Sequence, residues 1–217
     1  MMKSKYYFSF LLLSLLGLVA CSVITPIPTP AVEVYTLSPS VDKSDNELST
    51  TGHDGTALIL ALSPINSSQD FMGTGIIYRD HDYSYNSYAY SRWNDSPSKL
   101  LAIYFQYYLS ESQRFSAVVP NSSTSHADLL LEATLLDFSH HLALDKDNST
   151  GRVSIIFYLI DSKSKRLLAS KQFNSEITAE TQSAKGATKA LNLASESVAA
   201  DLREWLEGEV ERTDNKK

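Results

Sequence analysis

Between Gly151 and Ile177 the sequence doubles back on itself. GRVSIIFYLID carries the β-branched and aromatic residues that suit a pleated surface, SKSK at 162–165 is a polar turn, and RLLASKQFNSEI runs back. The stretch just before it, DLLLEATLLDFSHHLAL, reads as one long strand from Asp128. Downstream, Ala184, Ala187, Leu191, Ala194, Val198, Leu202 and Trp205 recur at helical period. They form one stripe on a helix expected to run to about Val210, and its many alanines let it lie close against a sheet. The carboxyl-terminal half is therefore committed to long strands with a helix laid over them.

The other half is built from shorter pieces. VEVYTL at 32–37 alternates as a short strand, and residues 41–56 read as a polar loop. ALILALSPI at 57–65 is a buried strand closed by Pro64. Ile76–Arg79 and Tyr83–Tyr90 are expected as two strands around Asp80–Asp82. Ser96 is the expected N-cap of a helix over 97–112, with Pro97 at its first position. Its apolar face is Leu100, Leu101, Tyr104, Phe105, Tyr108 and Leu109. FSAVVP at 115–120 is a further strand. Hairpins mixed with irregular helix–strand alternation place the fold in the α/β (α+β) class, as a mixed β-sheet packed by two main helices. A single domain is expected over 32–210, followed by a frayed tail at 211–217.

The amino end has a different character. Lys3 and Lys5 precede an apolar run from Tyr6 to Ala20, and then comes Cys21, the chain's only cysteine. A short basic segment, a short apolar segment and small residues make a secretory leader over 1–20. The run is too short to span the ~30 Å hydrocarbon core of a bilayer comfortably. Leu-Val-Ala-Cys at 18–21 resembles the bacterial lipobox, which implies cleavage before Cys21, diacylation of its thiol and acylation of the new amine by a chain such as palmitate. The alternative is a lone cysteine closing an ordinary leader. Residues 21–31 follow with Pro26, Pro28 and Pro30, an extended tether that holds a folded domain off the lipid. Ser22 in place of Asp favours the outer membrane over the inner by the sorting pattern of enteric bacteria.

Charge narrows the functions further. Loss of the leader takes Lys3 and Lys5 with it and moves the net charge from −6 to −8. Nucleic-acid binding needs concentrated Lys and Arg, so this class is excluded. An acidic body also argues against wrapping on anionic lipid, leaving the acyl chains as the membrane contact. With Cys21 acylated no thiol remains for a disulfide, a nucleophile or a metal site.

Catalytic motifs are missing from the sequence. His53, His81, His126, His140 and His141 show no metal-ligand spacing, and the adjacent His140 and His141 on a strand point to opposite faces. There is no G-x-S-x-G elbow and no P-loop, and the GTG at 73–75 lacks the rest of a dinucleotide fingerprint. Asp80, Asp82 and Asp95 read as solvated loop carboxylates, and the sequons at Asn66, Asn121 and Asn148 as polar loop composition. No cofactor and no metal are expected, and the chain reads as a non-enzyme. The aromatics between Tyr78 and Tyr108 fit either a docking face or sheet and helix packing.

The order of landmarks is specific: the lipobox and proline tether, VYTLSP, GTGIIYRD, SRWNDSPSKLLAIYFQYYLSES, FSAVV, ADLLLEATLLDF, a hairpin and ALNLASESVAADLREWL. This order resembles the ABC-type transport auxiliary lipoprotein family, the group that includes paraquat-inducible protein C. Tyr78-Arg79 and Arg92-Trp93 carry the resemblance, as buried packing residues or as partner-binding ones. The resemblance implies a lipid-anchored, periplasm-facing outer-membrane protein. It would be the auxiliary component of an MCE-type system moving lipid between two membranes, with an MCE-domain protein, a permease and an ATPase as partners. Self-association stays open. The competing reading is an outer-membrane assembly lipoprotein that chaperones a β-barrel or lipopolysaccharide.

Overall fold

A computed structural model describes residues 30–39, 58–80, 83–143 and 148–214. The expected leader, Cys21, most of the tether and the loop at 41–56 lie outside the described residues. Among those described, nine strands join one sheet. They are β1 (Glu33–Tyr35), β2 (Leu58–Leu62), β3 (Asn66–Ser67), β4 (Gly75–Arg79), β5 (Asn86–Trp93), β6 (Phe115–Pro120), β7 (Leu129–Leu142), β8 (Ser149–Asp161) and β9 (Leu167–Thr178). Two helices complete the set, α1 (Pro97–Ser110) and α2 (Ala184–Asp214), with a 3₁₀ turn at Gln69–Phe71.

The long strand β7 organises the sheet. Along one side it pairs antiparallel with β8 over its full length, and β8 pairs antiparallel with β9. Along the other side three short segments dock in parallel one after another: β2 beside Leu129–Leu131, β3 beside Thr134–Leu135, and β4 beside His140–His141. β6 extends the sheet beyond β2, while β5 and then β1 extend it beyond β4. The mixed sheet expected from the sequence is thus the observed one. Alternation decides which side is buried. Leu131, Ala133 and Leu135 on β7, Val153, Ile155, Phe157 and Leu159 on β8, and Phe173 on β9 all lie in the core. The register steps between Leu135 and Asp137, a bulge that leaves Leu136 exposed and returns Phe138 to the core.

Helix α2 covers this apolar face. The expected stripe is buried from Ala184 through Leu202, and Trp205 packs at its margin. Burial of one leucine contributes about 2 kcal/mol, so the stripe outweighs the modest propensity of the helix itself. Small residues set the distance between the layers. A Cβ on Gly151 of β8 would lie 2.8 Å from Ala190 Cβ and 2.8 Å from the Leu191 backbone nitrogen. Aromatic edges tie the layers together: Phe105 of α1 meets Phe157 at 5.4 Å, Phe157 meets Phe173 at 5.9 Å, and Phe173 meets Trp205 at 5.8 Å.

Several boundaries differ from expectation. The strand expected over Tyr83–Tyr90 is Asn86–Trp93. Tyr83 has φ of 64°, a left-handed turn conformation, and β1 pairs with Ser91–Trp93, which extends β5 to the tryptophan. Ser96 occupies the N-cap position of α1 with extended backbone, yet its hydroxyl caps nothing. Instead Asp95 accepts the Ser96 N–H at 2.7 Å. Helix α2 runs four residues past the expected Val210, with Arg212 in its last turn, where a cation suits the helix dipole, paired to Glu209.

Candidate functional site

Two polar clusters lie on β7, one on each side of the sheet, as the adjacent His140 and His141 require. The inward cluster begins with His140, which is fully buried. Its neighbour in register on β4 is Tyr78, and the Tyr78 ring sits 4.9 Å from that of Tyr88 on β5. The Tyr88 hydroxyl lies 2.7 Å from His140 Nδ1 and 3.0 Å from the Gln182 carbonyl, just before α2. A carbonyl only accepts, so the single hydroxyl proton goes to Gln182 and His140 Nδ1–H donates to Tyr88. The Nε2 of His140 is then a bare acceptor, and among the described residues it finds no partner. Burial, with the neighbouring His141 second, pushes the His140 pKa down to about 4, so the ring is neutral. Burial likewise pushes Tyr88 up to about 12, with Tyr78 adding to the effect. This cluster fastens the end of the sheet to the start of α2.

The outward cluster is Asp137, Ser139 and His141, which share a face beyond the bulge. Asp137 Oδ2 sits 2.9 Å from His141 Nε2, Ser139 Oγ sits 3.1 Å from the same nitrogen, and the Ser139 hydroxyl donates to Asp137 Oδ1. The residue types are those of a hydrolase triad, but the geometry is not. A triad holds carboxylate and hydroxyl on opposite ring nitrogens, whereas here both meet Nε2. Ser139 is also fully buried and gives its proton to the carboxylate. The cluster ties together one face of the strand just beyond its bulge. Beside it a shallow cavity of about 360 Å³ is lined by Asp137, Arg152, Ser154, Asn174 and Glu176. Hydrogen bonding by Thr150, and then by Arg152, holds the Glu176 carboxyl below its ordinary range despite some burial. A second cavity of about 480 Å³ lies between Tyr35 and Thr36 on one side and Lys185, Lys189 and Asn192 on the other. Asn192 clamps the chain leaving β1, accepting from Ser38 N–H and donating to the Thr36 carbonyl.

The sequence-predicted positions separate by face. Tyr78 joins the inward cluster, and Trp93 is buried with its ring 5.5 Å from Phe138. Arg79 lies over the ring of Tyr85 at 5.0 Å, and Arg92 is exposed beside Val34. The four are not one site: two face the core and two do not. Cys21 lies outside the described residues. Sequence reasoning missed the link from His140 through Tyr88 to Gln182. Strand alternation placed His140 opposite His141, but only the pairing of β4 with β7 brings the tyrosines to it. Among the described residues no group of three or more His, Cys, Asp or Glu could hold a metal, and no helix is long and apolar enough to cross a membrane.

The family model of the ABC-type transport auxiliary lipoprotein component matches residues 35–202. No curated protein matches the chain. Among solved structures, it is similar to protein XCC0632 from Xanthomonas campestris, of the DUF330 family, at 14% identity and a TM-score of 0.68, over 85% of this chain and 97% of that one. It is also similar to an uncharacterized protein at 16% identity and a TM-score of 0.60, over 82% of this chain and 99% of the other. At these identities the likeness is one of fold.

Proposed function

The chain belongs to the family of ABC-type transport auxiliary lipoprotein components, and from that premise we propose that it is the outer-membrane, periplasm-facing member of an MCE-type lipid transport system. The match across 35–202 carries this reading, joined to the Leu-Val-Ala-Cys sequence that ends at Cys21. Acyl chains on Cys21 fix one end in the bilayer, since each buried methylene contributes about 0.8 kcal/mol. The tether over 21–31 sets the reach. The domain over 32–210 then binds the MCE-domain protein, while a separate ATPase supplies the energy through the permease.

The role is positional and non-enzymatic. Its support is that the most catalytic-looking cluster, Asp137–Ser139–His141, is wired as a structural tie. Affinity purification of the acylated chain in a gentle detergent tests the proposal. Retention of an MCE-domain protein with permease and ATPase is the expected result. A β-barrel protein as the stable partner would turn the assignment toward outer-membrane assembly, and capture of neither would refute the transport reading.

A further inference from the structure

The strand that receives the tether is apolar on the side turned away from the core. In β1, Tyr35 lies beside the buried Trp93. The alternate positions, Val32 and Val34, are 49% and 53% exposed. Val34 is in register with Arg92 of β5, and Tyr90, two residues before Arg92, is 54% exposed. Carried one step back from Glu33–Ser91, the parallel β1–β5 register sets Val32 beside Tyr90, so two valines, a tyrosine and an arginine stand at solvent where the chain enters the domain. Among the described residues Arg92 makes no ion pair, and neither does Lys185 in the cleft beside Tyr35 and Thr36.

Chain length limits what this patch can meet. Eleven residues separate Cys21 from Val32. At about 3.3 Å each they span at most roughly 36 Å even when fully drawn out. A bilayer holding Cys21 is therefore always within reach of β1. Val, Tyr and Arg are suited to the lipid–water boundary: apolar bodies sink toward the acyl chains, and the phenol and guanidinium remain among the headgroups. We propose that Val32, Val34, Tyr90 and Arg92 form a lipid-docking face that rests on the bilayer carrying the anchor. This face fixes which end of the domain is turned to the membrane and which is presented to a partner. The inference rests on the acylation of Cys21.

Acylation consumes the only native thiol, so a single introduced cysteine can be labelled selectively. Full-length acylated Val34→Cys, Tyr90→Cys and Ile103→Cys proteins, each carrying a nitrobenzoxadiazole fluorophore, are reconstituted in phosphatidylcholine vesicles with phosphatidylglycerol. Quenching by brominated acyl chains is then measured, with co-flotation read in parallel. Ile103, on the outer side of α1, is the exposed apolar control. Severalfold stronger quenching at positions 34 and 90 than at 103 is expected, together with its reduction by Arg92→Glu. Co-flotation with equal quenching at 90 and 103 would overturn the docking face and leave the anchor intact. Loss of co-flotation would overturn the anchor and the face with it.

Discussion

Replacing Gly151 with alanine probes the distance between sheet and helix at one atom. The added Cβ would meet Ala190 Cβ at 2.8 Å, Leu191 N at 2.8 Å and Ala190 C at 2.9 Å. Two of these three atoms belong to the backbone of α2, so no flexible side chain can swing aside. The helix must lift, and it is held along the stripe from Ala187 to Leu206 by residues that are almost completely buried. Overpacking of this kind costs about 1–3 kcal/mol. For a domain of this size 1 kcal/mol shifts Tm by roughly 2–4 °C, so Gly151→Ala is expected to lower Tm by about 2–12 °C. Gly208→Ala is the matched control, because an added Cβ there meets nothing within 4 Å on the same helix. It should raise stability by about 0.4–1 kcal/mol. Calorimetry or thermal circular dichroism on the two variants gives both numbers. An unchanged or raised Tm for Gly151→Ala would refute the claim that small residues set the gap between the layers.

Further expectations follow from the neighbouring residues. Because the folded pKa of His140 lies near 4 and its ordinary value is 6.5, the unfolded chain takes up a proton first. Stability is then full above about pH 6.5 and falls as pH drops toward 4. Urea titrations at pH 7 and pH 5 should show this, and His140→Leu should flatten the difference. Tyr88→Phe strips the buried His140 of its hydroxyl partner and should cost about 1–3 kcal/mol by denaturant titration. Trp93→Ala empties a core position and should cost about 3–5 kcal/mol, while Arg92→Ala next to it should stay within about 0.5 kcal/mol. Cys21→Ser should move the protein from the membrane fraction to the soluble fraction on cell fractionation.

How much could be read in advance depended on range. Helix α2 was visible because its stripe from Ala184 to Leu202 is a local signal of period 3.6 and the helix makes no other use of those residues. Helix α1 and the β8–β9 hairpin were visible for the same reason, including the turn at 162–165. Strand β5 was misplaced because its boundary is set by β1, some sixty residues earlier, and by the burial of Trp93, rather than by its run of tyrosines. The two-residue β3 exists only through its pairing with Thr134 and Leu135. The bulge at Leu136 was equally hidden, since the adjacent Leu135 and Leu136 read as ordinary strand residues until the register with β8 is known. At the candidate site, one strand rule separated His140 from His141 correctly. The tyrosine partner of His140 comes from a strand more than fifty residues away, beyond the reach of any window, whereas Asp137 and Ser139 lie only four and two residues from His141 and needed the strand's alternation to be read as one cluster.

The placement of β2, β3 and β4 along a single edge of β7 also sets a timetable. Each is synthesised well before residue 129, and none has its β7 partner until that strand exists. A chain delivered amino end first therefore has only partial pairings through roughly the first half of the domain, β4 with β5 and β2 with β6, while the edge that joins these pairs into one sheet is still to be made. Assembly hinges on the late arrival of residues 129–178. A chain truncated anywhere before that stretch would leave these segments to associate with other chains instead.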